Sequence, residues 1–506
     1  MRSALTVTAL IVPLLLAGCT ASKPPPPPPP AAVVWPTTGW PSATPESQGV
    51  DSNALAYAIE TIRARRLPVH SLFVERNGYA VLDAYFFPFH SDETHDLASV
   101  TKSVTSTLVG IAERDHRIGS LDQPIAALLP AENLGSDPGK SRITLAQLLS
   151  MTSGLDCRAP AGVNLLHEME QSSDWLAYTW NLPQTWQPGA NFAYCAGGMH
   201  LVSAALSAAT GESAFALARR ELFAPLGITR SAWAADLYGN SHGFADLELT
   251  PRDSAKLGYL WLHYGRWENK QIVAPDYLHA ALTGRAIVQP GIQYGYGFWL
   301  YPSHTPYDFE ANGRGGQRIT VIPSENIVEV QTGGGADANV IAPLVAAAIY
   351  PTPLQPNPAG DARLAAAVAG AAAPPNATAA SGIPSWAAAI SGRTFVVSDN
   401  PLGLRTIRFL FSSPTEASVQ LGFAGGATGE YPVGLDGVPR LSWDAASAHR
   451  VAMTEWWRTN GFDLDYNTVA RIDDYQLHIT LAGNGLSIHL TDRDGPVDAM
   501  LSAVPE

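Results

Sequence analysis

The sequence predicts an α+β fold, in which an antiparallel sheet is flanked by helices and an all-helical region, followed by a small all-β C-terminal domain. Strand-like runs lie early and late in the first 350 residues, with helical patterns between them, which is typical of a sheet packed against segregated helices. After Pro384 the pattern changes to short alternating segments separated by Gly, Asn and Asp. That change indicates a sandwich or a small barrel.

Two hairpins support the predicted sheet. In residues 71–86, two β-rich runs flank Asn77-Gly78, a strong signal for a tight hairpin turn. In residues 318–332, two further runs flank the turn 323–326. Apolar residues at helical spacing and breaker residues such as Gly211 and Pro225 predict helices along the same region. These helices are expected at 51–65, from near Ser99, and at 143–151, 201–210, 213–223 and 338–348.

The first residues have the pattern of an export signal, with Arg2, an apolar run over 4–16 and small residues after it. The end of the run, Leu16-Ala17-Gly18-Cys19, resembles the lipobox of bacterial lipoproteins, in which the cysteine is lipidated. The alternative is an ordinary signal peptide with a chance cysteine. The run Pro24–Pro30 predicts a stiff polyproline spacer. We expect an exported cell-envelope protein, anchored to the membrane by a lipid on Cys19 and, in a Gram-negative source, held on the outer membrane facing the periplasm.

Composition and charge restrict the partners. The net charge of −14 comes with no basic stripe, which argues against nucleic acid. No metal-like spacing occurs among the histidines of the tail, and we expect neither a cofactor nor a metal. The predicted organisation is a signal peptide at 1–18, an anchor and Pro-rich spacer at 19–45, an α+β domain at 46–350, an Ala/Pro-rich linker with a short helix at 351–385, and an all-β domain at 386–506.

Two cysteines, Cys157 and Cys195, remain if Cys19 is lipidated. An exported chain meets an oxidising compartment, where two thiols can form a disulfide. The alternative is a pair of buried free cysteines. The sequence leaves both open.

The motif Ser99-Val100-Thr101-Lys102 is the candidate for chemistry. A helix that begins near Ser99 places Ser99 and Lys102 on one face, since residues three apart are neighbours on a helix surface. A serine with an amine one turn away is a nucleophile with its own base. The alternative is a coincidence of a serine and a lysine in the first turns of a helix.

Two later segments offer the other groups that such a serine needs. Tyr194 follows a turn and precedes a glycine-rich helix start, so it is a candidate proton relay; the alternative is a buried aromatic side chain. The segment Arg314-Gly315-Gly316-Gln317 precedes a strand, where glycines let a substrate approach the backbone and a strand-edge amide can donate to an oxyanion. The alternative there is a simple Gly-rich turn.

The order of these motifs resembles the serine β-lactamase and penicillin-binding-protein superfamily. The phrases LASVTKSVTSTLVGIA, ITLAQLLSMTSGL, PGANFAYCAGGMHLVSAALSAATG, YGYGFWL and GRGGQRITVIPSENIVEV resemble its class C-like branch of esterases, D-aminopeptidases and 6-aminohexanoate-dimer hydrolases. The resemblance runs over about 45–350 and implies a β-lactamase/transpeptidase-like serine hydrolase domain there. It implies Ser99 as nucleophile, Lys102 as base, Tyr194 as proton relay, and the N–H groups of Ser99 and Gln317 as oxyanion donors. Arg314, Gly315 and Gly316 would then help to bind substrate.

Two departures from the family pattern bear on the substrate. Class C β-lactamases have an asparagine where this chain has Ala196, and a Lys-Thr-Gly segment where it has Arg314-Gly315-Gly316. An arginine stays charged, so it can pair with an anionic substrate but cannot act as a base. We therefore expect cleavage of ester or amide bonds in small or peptide-like substrates. The alternatives are a D-amino-acid peptidase, a weak β-lactamase or a non-catalytic lipoprotein that binds peptidoglycan.

Overall fold

The computed structural model, which describes residues 33–129, 137–158, 164–379, 382–445, 447–495 and 497–506, contains both predicted hairpins. The elements described here belong to one compact unit, Val34–Glu506. The predicted signal peptide, Cys19 and the proline run lie outside the described residues. Before the C-terminal region the strands are β1 (Val69–Arg76), β2 (Tyr79–Tyr85), β3 (His95–Asp96), β4 (Ser231–Trp233), β5 (Leu247–Leu249), β6 (Arg266–Trp267), β7 (Lys270–Gln271), β8 (Ala286–Gln289), β9 (Ile292–Tyr294), β10 (Trp299–Tyr301), β11 (Asp308–Gly313), β12 (Gln317–Ile322) and β13 (Ile327–Gly333).

Eight of these strands form one antiparallel sheet in the order β2-β1-β13-β12-β11-β10-β9-β8. The first hairpin turns at Asn77 and Gly78, whose φ angles of 56° and 85° explain the choice of residues. Strand β1 pairs with β13 through a register that includes Phe73 opposite Val330. Strands from the two ends of the region therefore meet in the centre of one sheet, which confirms the predicted α+β class.

Helices cover both faces of the sheet. They are α1 (Ser52–Ala64), α2 (Thr101–Arg114), α3 (Ile125–Leu128), α4 (Leu145–Leu149), α5 (Leu165–Gln171), α6 (Trp175–Asn181), α7 (Ala196–Thr210), α8 (Ala214–Leu217), α9 (Pro251–Leu262), α10 (Pro275–Ala281), α11 (Ala338–Ala346), α12 (Pro358–Ala372) and α13 (Ala387–Ile390). Alternate β1 residues enter two separate cores. Phe73 packs in the core shared with α2, α7 and α9, whereas Leu72 and Val74 pack with α1, α11 and α12.

Helix boundaries differ from the predictions in three places. Helix α7 begins at Ala196, five residues before the predicted helix, and includes Gly197, which packs directly on α6: a Cβ there would lie 2.2 Å from Thr179 Oγ1. The segment predicted as one helix at 213–223 is α8 followed by a π-helical turn at Ala218–Phe223. Helix α12, within the expected linker, is longer than predicted and buries Leu364, Ala367 and Ala371 in the core that contains α1.

Ten described strands form the C-terminal all-β domain. Nine of them close into a barrel, one of the two architectures expected, and the tenth, β18, pairs with β19. They are β14 (Thr394–Val397), β15 (Leu404–Phe411), β16 (Glu416–Phe423), β17 (Thr428–Gly434), β18 (Arg440–Asp444), β19 (His449–Arg458), β20 (Gly461–Thr468), β21 (Asp474–Ala482), β22 (Gly485–Asp492) and β23 (Asp498–Pro505). Nine strands run in order from β17 through β14, β23 and β20 to β19, and a pairing of β17 with β19 closes the ring. Alternate residues point into a packed apolar interior.

Glu455 on β19 has a buried carboxyl group whose Oε1 finds no hydrogen-bond partner among the described residues. Burial raises its pKa from 4.5 to about 9, so the folded protein holds a proton that the unfolded chain releases. The contribution of Glu455 to the free energy of unfolding is therefore fully present below pH 4.5 and is lost as the pH rises towards 9. We expect Glu455→Gln to increase the free energy of unfolding by up to about 3 kcal/mol at pH 7 and by little at pH 4.5, in urea denaturation. An equal gain at both pH values would contradict this origin.

Within the described residues, no single helix is long and apolar enough to cross a membrane. Only the bent pair Ala196–Thr210 and Ala214–Phe223 meets such a test by length and composition.

Candidate active site

Ser99 lies in a short 3-10 turn, Ala98–Val100, that runs directly into α2. The helix predicted to begin near Ser99 begins at Thr101, and the turn before it is shaped by its neighbours. Ala98 has a φ of 44°, and its N–H donates to Asp96 Oδ1 at 2.8 Å. On the other side, Gly313 of β11 packs so closely that a Cβ there would lie 2.6 Å from Leu97 O. Ser99 is therefore presented by a tightly packed turn.

Lys102 is buried in the first turn of α2 and points at Ser99. Its Nζ lies 2.7 Å from Ser99 Oγ and 2.9 Å from the carbonyl oxygen of Phe244. The lysine side chain is among the largest fully buried side chains of the protein. Burial and two oxygen partners fix the amine at hydrogen-bond distance from the hydroxyl, which is the geometry that a base for this serine requires.

The ring of Tyr194 lies beside Lys102, and the role of its hydroxyl as a proton relay stays a prediction. Lys102 Nζ lies 4.8 Å from the centre of the Tyr194 ring, which also packs against Trp299 at 5.9 Å. Tyr194 is 37% exposed, so it is not the buried aromatic of the alternative interpretation. The next residue, Cys195, caps α7 and is joined to Cys157 by a disulfide, the pairing that the sequence left open. The disulfide joins two residues that are 38 positions apart in the chain, and it links the segment that contains Tyr194 to the segment around Cys157.

Ser99, Lys102 and Tyr194 line one cavity of about 650 Å³. Ala196 also lines it, at the position of the missing asparagine. A larger groove of about 1260 Å³ lies near Trp40. We assign the chemistry to the smaller cavity because it holds the serine and the lysine at hydrogen-bond distance.

Part of the cavity wall is acidic. Asp96, Glu170 and Asp246 all line it. Burial and repulsion from Asp246 raise the pKa of Asp96 to about 6, and the same two causes raise the pKa of Glu170. Sequence reasoning missed these residues, since none belongs to a motif that carries chemistry.

The barrel supplies the cavity with Ile472 and Asp473, from the turn between β20 and β21. They are more than 370 positions from Ser99 in the chain, and no sequence signal connected them to it. Asp473 Oδ1 lies 2.6 Å from Arg314 Nη2. The guanidinium of Arg314 is therefore already paired within the protein, and its contact with an anionic substrate stays a prediction.

The remaining predicted residues are Gly315, Gly316 and Gln317, which follow Arg314 in the chain. Of the described residues that line it, Arg314 is one, but Gly315, Gly316 and Gln317 are not. A Cβ on Gly315 would lie 2.4 Å from Ile472 Cγ2, and one on Gly316 would lie 2.3 Å from Ala336 O. These glycines thus leave room for Ile472 and Ala336, and their part in substrate binding stays a prediction. Gln317 is buried and bonds through its side chain to Gly333, and the role of its N–H as an oxyanion donor stays a prediction.

The fold and this cavity define the class of the serine β-lactamase and penicillin-binding-protein superfamily. The Beta-lactamase family model matches residues 55–330, and because this is more than half of the 506 residues, the chain belongs to the β-lactamase family. No curated protein matches the chain.

Two of the solved structures that resemble this chain illustrate the shared fold. One is a protein from Bacillus anthracis assigned as a 6-aminohexanoate-dimer hydrolase, at 20% identity and a TM-score of 0.52, with 62% of this chain and 87% of that chain covered. The other is EstCE1, described as a hydrolase with promiscuous acyltransferase activity, at 17% identity and a TM-score of 0.51, with 59% of this chain and 99% of that chain covered. At these identities the likeness concerns the fold alone.

Proposed function

We propose that the protein is a serine hydrolase that cleaves ester or amide bonds of small or peptide-like substrates through an acyl-enzyme on Ser99. The observation that supports it is the 2.7 Å contact between Lys102 Nζ and Ser99 Oγ at the wall of an open cavity. A buried lysine in contact with a serine hydroxyl has no evident use in a protein that only binds.

The reaction follows from these atoms. The amine of Lys102 takes the proton of Ser99 Oγ as the oxygen attacks the substrate carbonyl carbon. The bond to the leaving group then breaks, and the leaving group takes a proton that returns from Lys102 through the Tyr194 hydroxyl. Water attacks the resulting acyl-enzyme, gives its proton to the same groups and releases the acid with Ser99 restored.

Two features favour esters and amides over β-lactams. Ala196 has no amide with which to hold a substrate carbonyl, and the charge of Arg314 is already paired with Asp473. The acidic wall of Glu170 and Asp246 also suits a substrate with a free amino group, which favours a D-amino-acid peptidase as the second candidate.

Acylation tests the proposal. The purified protein is treated with a fluorophosphonate probe and the labelled peptide is identified, with Ser99→Ala as the unlabelled control. We expect a label on Ser99 and turnover of p-nitrophenyl butyrate well above that of nitrocefin. Release of p-nitroaniline from D-alanine p-nitroanilide would favour the D-amino-acid peptidase over the esterase. An unlabelled native protein would overturn the proposal and favour a binding role.

We further propose that the protein is a lipid-anchored envelope protein, on the basis of Leu16-Ala17-Gly18-Cys19 and the proline run that follows. Expressed in a Gram-negative host, the native chain is expected in the membrane fraction, and Cys19→Ser is expected to release it. Mass spectrometry of the N-terminal peptide would identify a lipid on Cys19. An unmodified N-terminus in the soluble fraction of the native chain would contradict the anchor.

A further inference from the structure

The turn of the barrel between β20 and β21 reaches the catalytic cleft and is held there by its backbone. Ala470 O accepts a hydrogen bond from Asp96 N at 2.9 Å, three residues before Ser99. Ile472 is only 2% exposed and fills the space above Gly315, where a side chain would collide with it. The turn is therefore a built part of the cleft.

Charged contacts hold the same turn from the other side. Arg471 Nη1 lies 3.3 Å from Glu248 Oε1 and 3.7 Å from Asp96 Oδ2. The barrel residue His449 also contacts Glu248, at 3.5 Å. Asp473, at the end of the turn, is thereby placed at a defined position in the cavity wall.

Three carboxylates surround the single positive charge of Arg314. Asp473 Oδ1 is 2.6 Å from its guanidinium, and the carboxylates of Asp492 and Asp494 are each 4.0 Å away. Burial opposes the charge of Arg314, but the three carboxylates outweigh it and raise the pKa of the guanidinium. Burial and repulsion by Asp473 raise the pKa of Asp492 to about 6, so the carboxylates compete for one cation. A fourth carboxylate would meet net repulsion.

Both members of the closest pair can still be reached from the cavity. The side chains of Arg314 and Asp473 are 42% and 37% exposed, and both line it. A substrate group that enters this end of the cleft therefore meets a guanidinium whose charge is already balanced.

We propose that Asp473 is a specificity-determining residue: it acts as an internal carboxylate that occupies Arg314, so that the barrel makes the enzyme reject substrates with a carboxylate at this end of the cleft. The class accepted is neutral or cationic esters and amides. This inference rests on the proposed hydrolase function and deepens it, because it assigns a filter to the barrel.

Two matched pairs of substrates test the filter at either end of the scissile bond. On the leaving-group side, 3-acetoxybenzoate is compared with neutral 3-acetoxybenzamide; on the acyl side, p-nitrophenyl hemisuccinate is compared with p-nitrophenyl succinamate. We expect Asp473→Asn to raise the ratio of kcat/KM for the acid to that for the amide about tenfold in at least one pair. Asp494→Asn, farther from Arg314, is expected to raise the same ratio less.

The matched control is Asp463→Asn. Asp463 belongs to the barrel and pairs with Arg458, with Nε–Oδ2 at 2.6 Å, and it is not among the described residues that line the cavity. The Asp463→Asn variant removes the same charge from the same domain and is expected to leave the acid-to-amide ratio of kcat/KM unchanged in both substrate pairs. Ratios unaltered by Asp473→Asn in both pairs, or altered equally by Asp463→Asn, would overturn the inference.

A binding measurement separates failure of this inference from failure of the proposed function. Calorimetric titration of benzoate into Ser99→Ala and into Ser99→Ala/Asp473→Asn needs no turnover. Tighter benzoate binding in the double variant supports the filter, whether or not the native protein is labelled. An absent fluorophosphonate label would overturn only the hydrolase function. Equal binding with a labelled native Ser99 would overturn only the filter.

Discussion

Lys102→Met is expected to lower kcat/KM for p-nitrophenyl butyrate about 10³-fold. Methionine has nearly the shape of the lysine and keeps the buried position filled, but it cannot take the proton of Ser99 Oγ, which lies 2.7 Å from Nζ in the native protein. The value of kcat/KM from steady-state kinetics and the rate of fluorophosphonate labelling should decrease together, because both measure attack by the serine oxygen.

Lys102→Arg distinguishes a base from a mere positive charge. The guanidinium keeps a charge and hydrogen-bond donors near Ser99 and the Phe244 carbonyl, but it does not accept a proton at any useful pH. We therefore expect this variant to be as slow as Lys102→Met, with thermal unfolding used to confirm that both variants are folded. An arginine variant that keeps a tenth or more of the native rate would contradict the role of Lys102 as base.

Tyr194→Phe is expected to lower kcat/KM about 10²-fold for methyl butyrate and for D-alanine amide, and much less for p-nitrophenyl butyrate. An alkoxide or an amine must be protonated as it departs, whereas p-nitrophenolate leaves without a proton. The ring would stay packed against Trp299, so that only the hydroxyl is removed.

Tyr294→Phe is the matched control for this substrate dependence. The Tyr294 ring is buried and lies 6.4 Å from that of Tyr194. Removing its hydroxyl is expected to affect all three substrates alike. An equal loss for activated and unactivated substrates in Tyr194→Phe would show that the tyrosine is structural and not a proton relay.

The barrel alters how the predicted substrate site is understood. The sequence predicts that Arg314 can pair with an anionic substrate, because a guanidinium stays charged. Its partner in the structure is Asp473, which lies 159 residues further along the chain. The space that Gly315 leaves by having no side chain is filled by Ile472 of the same turn. The cleft is thus shared by two regions of the chain that the sequence describes separately.

Local patterns were sufficient where the physics is local. The Asn77-Gly78 turn determined a hairpin because its backbone needs positive φ angles, and three-residue spacing brought Lys102 beside Ser99. The helix predicted at 201–210 begins earlier in the structure, at Ala196, and its Gly197 makes close contact with Thr179 of α6. That contact is invisible without the packed neighbour.

The sequence by itself determined the α+β class, the hairpins, the all-β tail and the serine–lysine pair, since each depends on residues close together in the chain. Only the tertiary structure decided that the tail closes into a barrel, that Cys157 bonds to Cys195, and that Asp473 forms an ion pair with Arg314. The physical reason is that ring closure, disulfide pairing and charge neutralisation depend on distances between remote segments. Those distances follow from packing, for which the order of residues contains no local signal.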